Sequence, residues 1–189
     1  MVSAPLELPA VVAAALDLSR RRGFVTSSRL ETGRLLAALA ASRHGTLGEC
    51  GTGCGVGAAW LSHGARETSR VVTAEVDEDL ADAVTELFRD HPGVEVVNGD
   101  WASLSDHGPF SLLFLDVREA KRSGADTVVA MLEPGGVVVL DDFTPSTTWP
   151  PLFEGRVDSM RQQWLTDERF TTVEVMVTDD ASVLIASRR

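Results

Sequence analysis

Four glycines alternate with other residues in the segment 49–57, at positions 51, 53, 55 and 57. Because glycine has no Cβ, a backbone of this composition can turn tightly and approach a ligand closely. Glu75 ends the next apolar run of the sequence. An acidic residue about 20 positions beyond such a turn is where Rossmann-like folds place a carboxylate against ribose hydroxyls. The spacing therefore predicts a nucleoside-bearing cofactor across the ends of the first two strands.

Carboxylates recur at the ends of the apolar runs along the chain. Five runs are predicted to be strands, at 46–50, 71–75, 94–98, 111–115 and 136–140. The acids at or just after their ends are Glu49, Glu75, Asp77, Asp100, Asp116, Asp141 and Asp142. Because ligands of open α/β sheets bind beyond the carboxyl ends of the strands, we expect these side chains to line one site. Asp77 is the exception, since it precedes a predicted helix and is expected to cap it.

Helical patterns separate the predicted strands. They cover 9–22, 29–43, 56–66, 78–90, 119–132 and 155–166, and Ser27 or Ser28 is expected to cap the second helix. Two final strands, at 171–177 and 182–187, have so short a link that they must pair antiparallel. The pattern predicts an α/β, Rossmann-like fold with a mostly parallel seven-stranded sheet, helices on both faces and a C-terminal antiparallel hairpin. One domain is expected over 1–189, with N-terminal helices in 1–43 and the core in 44–189.

The composition limits the classes of function. The 189 residues are 44% apolar, enough for one core, and carry a formal net charge of −11. Nucleic-acid binding is not expected, since it depends on cationic side chains that neutralise phosphates. Neither a secretory signal nor a run of transmembrane length is predicted, so a cytoplasmic protein without membrane contact is expected. Cys50 and Cys54 both lie in the glycine segment, and we expect them to be reduced thiols.

These motifs resemble those of the class I S-adenosylmethionine-dependent methyltransferases, most of all the small-molecule O-methyltransferases of the catechol and caffeoyl-CoA type. The resemblance rests on the glycine segment, on Glu75, on residues 99–101 and 115–116, and on the closing hairpin. It implies S-adenosyl-L-methionine as the cofactor and a small molecule as the methyl acceptor. The cofactor-binding residues that it implies are Ser27, Glu49, Gly51, Gly53, Gly55, Glu75, Asp100, Trp101 and Asp116.

The resemblance also implies a role for each of these groups. The glycines would face the methionine portion and Glu75 the ribose hydroxyls. Asp100 would accept from the adenine amino group, with Trp101 beside the ring. Glu49 and Asp116 would approach the ammonium of the amino-acid end. A cofactor without phosphate suits so many carboxylates, whereas a pyrophosphate would be repelled by them.

The same enzymes hold a divalent ion between an Asp after strand four and an Asp-Asn pair after strand five. The corresponding residues are Asp116, Asp141 and Asp142, so the resemblance implies a magnesium or manganese site, with Asp116 as the catalytic residue. Asp142 replaces the Asn, Glu119 stands where the family has a lysine base, and Lys121 is near but off register. If the three carboxylates converge, either a cation joins them or at least one keeps a proton near neutral pH.

Two other functions stay open on the sequence. Residues 53–58 satisfy the loose G-x-G-x-x-A pattern of dinucleotide-binding enzymes. Glu49 beside a pyrophosphate, and the lack of any tyrosine for a short-chain dehydrogenase, count against an NAD-dependent oxidoreductase. The missing family lysine leaves room for a catalytically silent cofactor-binding module. The sequence identifies neither the acceptor, nor whether an oxygen or a nitrogen is methylated, nor whether the chain forms a homodimer.

Overall fold

Strands and helices alternate from residue 46 onward. A computed structural model describes residues 7–25, 27–122 and 125–189. Its helices are α1 (Ala10–Arg22), α2 (Leu30–Ala41), α3 (Val56–Gly64), α4 (Glu78–Leu87), α5 (Arg118–Arg122), α6 (Ala125–Met131) and α7 (Ser159–Thr166), with a 3₁₀ helix at Trp101–His107. Its strands are β1 (Thr46–Cys50), β2 (Arg70–Glu75), β3 (Val94–Asn98), β4 (Phe110–Leu115), β5 (Leu132–Phe143), β6 (Leu152–Phe153), β7 (Arg156–Val157), β8 (Phe170–Met176) and β9 (Ser182–Arg188).

Seven strands form one sheet in the order β3-β2-β1-β4-β5-β9-β8. Neighbours among β1 to β5 pair in parallel, whereas β9 runs antiparallel to both β5 and β8. The predicted Rossmann-like sheet and its C-terminal antiparallel hairpin are confirmed. Strands β2 and β3 are added on one side of β1, and β4 and β5 on the other. Open α/β sheets form their ligand crevice at this switch in strand order.

Helices cover both faces of this sheet. Along β4, Leu112 and Phe114 pack in one core with residues of α1, α2 and α3, while Leu113 and Leu115 pack in a second core with Trp164 of α7. Successive side chains of a strand point to opposite faces, so a fully apolar strand needs a cover on each side. None of the helices in the described part of the chain has the length and apolarity that a membrane crossing requires.

The register of the parallel strands brings predicted site residues to one edge. Glu49 of β1 lies opposite Thr73 of β2 and Phe114 of β4. Glu75 is the last residue of β2, and Asp116 directly follows β4. The three acids therefore lie at the carboxyl ends of adjacent strands, as the sequence predicted.

β5 is longer than predicted and includes two site residues. The strand was expected at 136–140, but antiparallel pairing with β9 continues to Phe143, so Asp141 and Asp142 lie within β5 rather than after it. The register shifts just before Phe143, and Asp142 has a φ of 65°. Because neighbours in a regular strand point to opposite faces, this irregularity allows both carboxylates to face one site.

The helix predicted at 155–166 begins later, as α7. Before it, β6 and β7 form a separate two-stranded hairpin. The turn residues Glu154 and Gly155 have φ values of 51° and 75°, a left-handed conformation that a helix does not accommodate. Oδ1 of Asp158 then accepts a hydrogen bond from the backbone N–H of Arg161 at 3.1 Å, and this cap fixes where the helix starts.

One of the two predicted helix caps is confirmed and the other is wrong. Asp77 caps α4, since its Oδ1 accepts from the backbone N–H of Leu80 at 3.0 Å. The cap expected from Ser27 or Ser28 is wrong, because the residue before α2 is Arg29 and no side chain caps that end. Both serines instead line the cavity over the glycine loop.

Candidate active site

The loop between β1 and α3 requires glycine for conformation and for close approach. Gly51 has a φ of 94°, and a Cβ there would lie 2.4 Å from Cγ1 of Val117. A Cβ at Gly57 would lie 1.9 Å from Oε1 of Glu49. Side chains at these positions would displace the residues that shape the loop, so the glycine pattern reflects packing as well as turning.

Glu49 lies beneath this loop and is 1% exposed. Its Oε2 accepts a hydrogen bond from Oγ1 of Thr73 at 2.6 Å, and that hydroxyl also contacts Oγ1 of Thr52 at 2.6 Å. Burial raises the pKa of Glu49 well above its ordinary value, the Thr73 hydrogen bond opposes the rise, and the nearby Asp116 carboxylate adds to it. The neutral form of Glu49 is favoured, which allows an acid to stay buried there.

Backbone donors hold the Glu75 carboxylate. Its Oε2 accepts from the N–H of Gly53 at 2.7 Å, and its Oε1 accepts from the N–H of Asp77 at 3.0 Å. The two oxygens of a carboxylate offer about four acceptor sites in total. Glu75 therefore keeps the capacity to bind ligand hydroxyls while its orientation is fixed by the loop.

A cavity of about 490 Å³, here called the loop cavity, lies over the glycine loop. Six predicted cofactor residues line it: Ser27, Glu49, Gly51, Gly53, Glu75 and Asp116. Arg29 is the one cation among its described lining residues, and it pairs with Asp180 at 3.0 Å. The polar lining of the loop cavity thus consists of acids, hydroxyls and backbone, and its one described cation is already paired.

A smaller cavity of about 240 Å³, here called the ring cavity, adjoins it on the β3 side. The two share Gly51, Glu75 and Val117, and the ring cavity adds Asp100 and Trp101. Oδ1 of Asp100 accepts from the backbone N–H at position 102, 2.8 Å away, which caps the 3₁₀ helix. Two predicted cofactor residues are thereby brought next to Glu75.

Gly55 is the one predicted cofactor residue that lines neither cavity. Its φ is 81°, and a Cβ there would lie 3.0 Å from Cγ1 of Val84 and 3.2 Å from Cε2 of Phe88. Both neighbours lie in or just after α4. The glycine at this position therefore permits close packing of the loop against α4.

The three aspartates of the predicted metal site converge, and we call them the acid trio. A carboxylate oxygen from each of Asp116, Asp141 and Asp142 lies within 4.8 Å of the other two. Ser28 Oγ donates to Oδ2 of Asp116, and Thr32 Oγ1 donates to Oδ1 of Asp141, each at 3.3 Å. The predicted convergence is confirmed.

Burial and mutual repulsion raise the pKa of two members of the trio. The pKa of Asp116 rises to about 7, chiefly through burial, with Asp142 and Asp141 adding to the rise and Lys121 opposing it. The pKa of Asp141 is also raised, again mainly by burial. Without a bound cation, these shifts favour the protonated form of Asp116 below about pH 7, the direction that the sequence predicted for converging carboxylates.

Lys121 belongs to this site, although the sequence pattern placed it off register. Its Nζ donates to Oδ2 of Asp142 at 3.1 Å, and its side chain is 6% exposed. Helix α5 begins at Arg118 and turns residue 121 toward the end of β5. The sequence pattern considered only the third residue after Asp116, where the family has its lysine. Lys121 is found if any lysine in the first turns after β4 is considered.

The acid trio fits a divalent cation by donor type and spacing. Carboxylate oxygens are the ligands that magnesium and manganese prefer, and three oxygens within 4.8 Å can approach one ion. The ammonium of Lys121 supplies one positive charge on the Asp142 side of the trio. Metal binding remains a prediction.

A third cavity of about 860 Å³, here called the outer cavity, meets the loop cavity at the acid trio. The two share Asp116 and Asp142. The outer cavity extends from there past Lys121 to Phe153 and Val157 of the β6–β7 hairpin. A molecule in each cavity would therefore meet at Asp116.

The strand order, the glycine loop and the acidic rim define a Rossmann-like α/β protein with a candidate ligand site at the carboxyl ends of its parallel strands. Residues 49–143, about half of the chain, match the family model of a methyltransferase domain. The chain therefore belongs to this methyltransferase family. The alternative of an NAD-dependent oxidoreductase is not supported. Among curated proteins, none matches the chain in sequence.

Solved structures of similar proteins share the fold along nearly the whole chain. A methyltransferase from Geobacter sulfurreducens is 24% identical with a TM-score of 0.75, covering 98% of this chain and 91% of its own. An O-methyltransferase from Bacillus cereus, in complex with SAH, is 17% identical with a TM-score of 0.75 and coverages of 97% and 93%. An O-methyltransferase of tomaymycin synthesis from Streptomyces achromogenes, in complex with SAM, is 19% identical with a TM-score of 0.76 and coverages of 97% and 92%.

Proposed function

We propose that the chain transfers a methyl group from S-adenosylmethionine to an oxygen of a small molecule. The observation that carries this proposal is the run of adjoining cavities, since the loop cavity meets the ring cavity at Glu75 and the outer cavity at Asp116. Two structural neighbours, each named as an O-methyltransferase, hold SAH or SAM. Family membership supports methyl transfer, and these neighbours support the cofactor and the oxygen acceptor.

The donor set of the loop and ring cavities fits this cofactor chemically. S-Adenosylmethionine carries an ammonium, ribose hydroxyls and an adenine amine, all of which can donate to carboxylates, and it has no phosphate to repel. We assign Glu75 to the ribose hydroxyls, Asp100 and Trp101 to the adenine, and Gly51 and Gly53 to the methionine portion. The glycines fit because a Cβ at either position would collide with neighbouring side chains.

The ammonium end of the cofactor is assigned to Ser27, Glu49 and Asp116. All three line the loop cavity, and none of them lines the ring cavity that contains Asp100. Glu49 is 1% exposed, so we propose that it supports the loop while the carboxylate of Asp116 faces the ammonium. Gly55 contributes to loop packing rather than to ligand contact.

Asp116 is proposed as the catalytic residue because it lines both the loop cavity and the outer cavity. When bound, S-adenosylmethionine supplies a methyl group on a positively charged sulfur. With no metal in the acid trio, Asp116 is placed to take the proton of the acceptor hydroxyl as that oxygen gains the methyl group. The walls of the two cavities would hold donor and acceptor next to each other, and such positioning supplies much of the acceleration in a displacement.

The acid trio is proposed to bind magnesium or manganese. Asp116, Asp141 and Asp142 would hold the ion, and its charge would favour the ionised acceptor. Asp141→Asn should then lower metal affinity and turnover together, and EDTA should abolish turnover until metal is restored. Full activity of the wild type in EDTA would contradict the metal and leave Lys121 as the cation of the site.

The experiment that tests the cofactor assignment is the binding of S-adenosylmethionine to Glu75→Ala. Loss of this acceptor should weaken binding by about 1–3 kcal/mol, since the ribose hydroxyls would lose their partner. Glu78→Ala is a matched control, because Glu78 is an exposed acid in the first turn of α4. Unchanged affinity in Glu75→Ala would contradict the assignment. A cytoplasmic location and a homodimer remain predictions.

A further inference from the structure

Three arginines on the wall of the outer cavity have no partner in the described part of the chain. They are Arg118, Arg122 and Arg156. All three are exposed, and none makes an ion pair or a side-chain hydrogen bond with another described residue. In a chain with a net charge of −11, uncompensated cations on one cavity wall need an explanation.

The other two cations of this cavity are neutralised within the chain. Lys121 pairs with Asp142 at 3.1 Å, and Arg161 pairs with Asp158 at 3.2 Å. Glu154 also lines the cavity, but it makes no ion pair with a described residue. The inner end of the outer cavity is therefore acidic or balanced, and its free positive charge belongs to the three arginines.

The positions of the three arginines allow them to act together. Arg118 and Arg122 are four residues apart on α5, so their side chains leave the same face of the helix. Like charges at this spacing repel, and no acid among the described residues forms an ion pair with either arginine. Arg156 reaches the same cavity from β7, on a different element. Guanidinium groups on two elements can bind one anion from two directions.

Apolar side chains lie next to these cations. Phe153 and Val157 of the hairpin also line the outer cavity and are 47% and 50% exposed, so they offer apolar surface to a ligand there. Met160 of α7 adds a third apolar group to the wall. The outer cavity thus combines an apolar surface, a cationic wall and, at its inner end, Asp116.

We propose that the methyl acceptor is an apolar, ring-sized molecule that carries an acid group, either a carboxylate or a phosphate. The acid group is bound by Arg118, Arg122 and Arg156, and the body lies on Phe153 and Val157. The hydroxyl to be methylated then reaches Asp116 at the junction with the loop cavity. This inference rests on the proposed function, because it names the substrate class of the same site.

The test uses the protein loaded with S-adenosylhomocysteine and three probes of one size. Calorimetric titrations with benzoate, phenyl phosphate and neutral benzamide separate charge from shape. At least one acidic probe should bind about tenfold or more tightly than benzamide, and the tighter of the two shows which acid group the site prefers. Arg118→Gln, Arg122→Gln and Arg156→Gln should each reduce that preference several-fold. Arg89→Gln, which removes an exposed charge from outside the three cavities, should leave it unchanged.

The outcomes separate this inference from the proposed function. If S-adenosylhomocysteine does not bind, the proposed function fails and takes this inference with it. If it binds, three results overturn the inference alone. Benzamide binds as tightly as the acidic probes, or neither acidic probe binds at millimolar concentration. The third is that all three arginine variants keep the full preference for the acidic probe. Unchanged affinity for S-adenosylhomocysteine in those variants shows that they are folded.

Discussion

The Asp116 carboxyl is less acidic in the folded chain than in the unfolded chain. Its pKa is raised to about 7 from an ordinary value of 3.8, mainly by burial. The unfolded chain releases this proton near its ordinary pKa, whereas the folded chain keeps it until about pH 7. The folded state therefore binds the additional proton between those values, and its stability falls as pH rises through that window.

Asp116→Asn should remove this pH dependence. We expect the variant to gain stability relative to the wild type between about pH 5 and about pH 8, since it has no buried carboxylate to ionise. Urea unfolding of both proteins in EDTA at the two pH values measures the difference. Asp106→Asn, an exposed acid of the 3₁₀ helix, is the control. The same pH dependence in the wild type and in Asp116→Asn would show that this carboxyl ionises normally.

Gly57, in the first turn of α3, tests how closely this helix packs on Glu49. In Gly57→Ala the new Cβ would lie 1.9 Å from Oε1 of Glu49, so the buried acid must move and its hydrogen bond from Thr73 is disturbed. We expect a loss of about 1–3 kcal/mol of stability, the usual effect of overpacking, together with weaker cofactor binding. Gly93→Ala is the matched control, since its Cβ would meet only an ordinary contact at 3.7 Å. Equal unfolding midpoints for the two variants would contradict this account.

At the scale of elements, periodicity and spacing predicted the parallel strands and the acids at their carboxyl ends. Strands β1, β2 and β4 are largely buried, and each has an acid at or just after its carboxyl end. Their parallel pairing follows from the helices between them. The extension of β5 through Asp141 and Asp142 was not predictable, because it depends on pairing with β9, about 40 residues later. The place of Lys121 was missed for a related reason, since the start of α5 sets which way it points.

The β6–β7 hairpin gives the prediction at this scale. It is a separate two-stranded sheet with positive φ at Glu154 and Gly155, and such hairpins are only marginally stable alone. Gly155→Ala should strain the turn and loosen the wall that carries Phe153 and Arg156. We expect a several-fold higher KM for the acceptor with unchanged affinity for S-adenosylmethionine. If KM for the acceptor and Kd for S-adenosylmethionine rise in proportion, the hairpin supports the whole fold instead.

At the scale of the molecule, one edge of one sheet organises three adjoining cavities. The loop and ring cavities share the rim formed by β1, β2 and β4, and the outer cavity lies beyond the acid trio at the end of β5. The sequence predicted this edge and the residues of the nucleoside side, because strand-end acids and glycine spacing are local signals. It did not predict the arginine wall, since α5 and β7 meet only in the folded chain.

The central claim is that this edge binds S-adenosylmethionine, and calorimetric titration of the wild type tests it most directly. Parallel titrations with S-adenosylmethionine, S-adenosylhomocysteine and NAD, each with and without EDTA, compare the two cofactor classes on one protein. The account predicts saturable binding of one equivalent of either methionine-derived ligand, retained in EDTA because Glu75, Asp100 and Trp101, the groups assigned to its nucleoside, are not part of the acid trio. Saturable binding of NAD, with none of S-adenosylmethionine or S-adenosylhomocysteine, would contradict it.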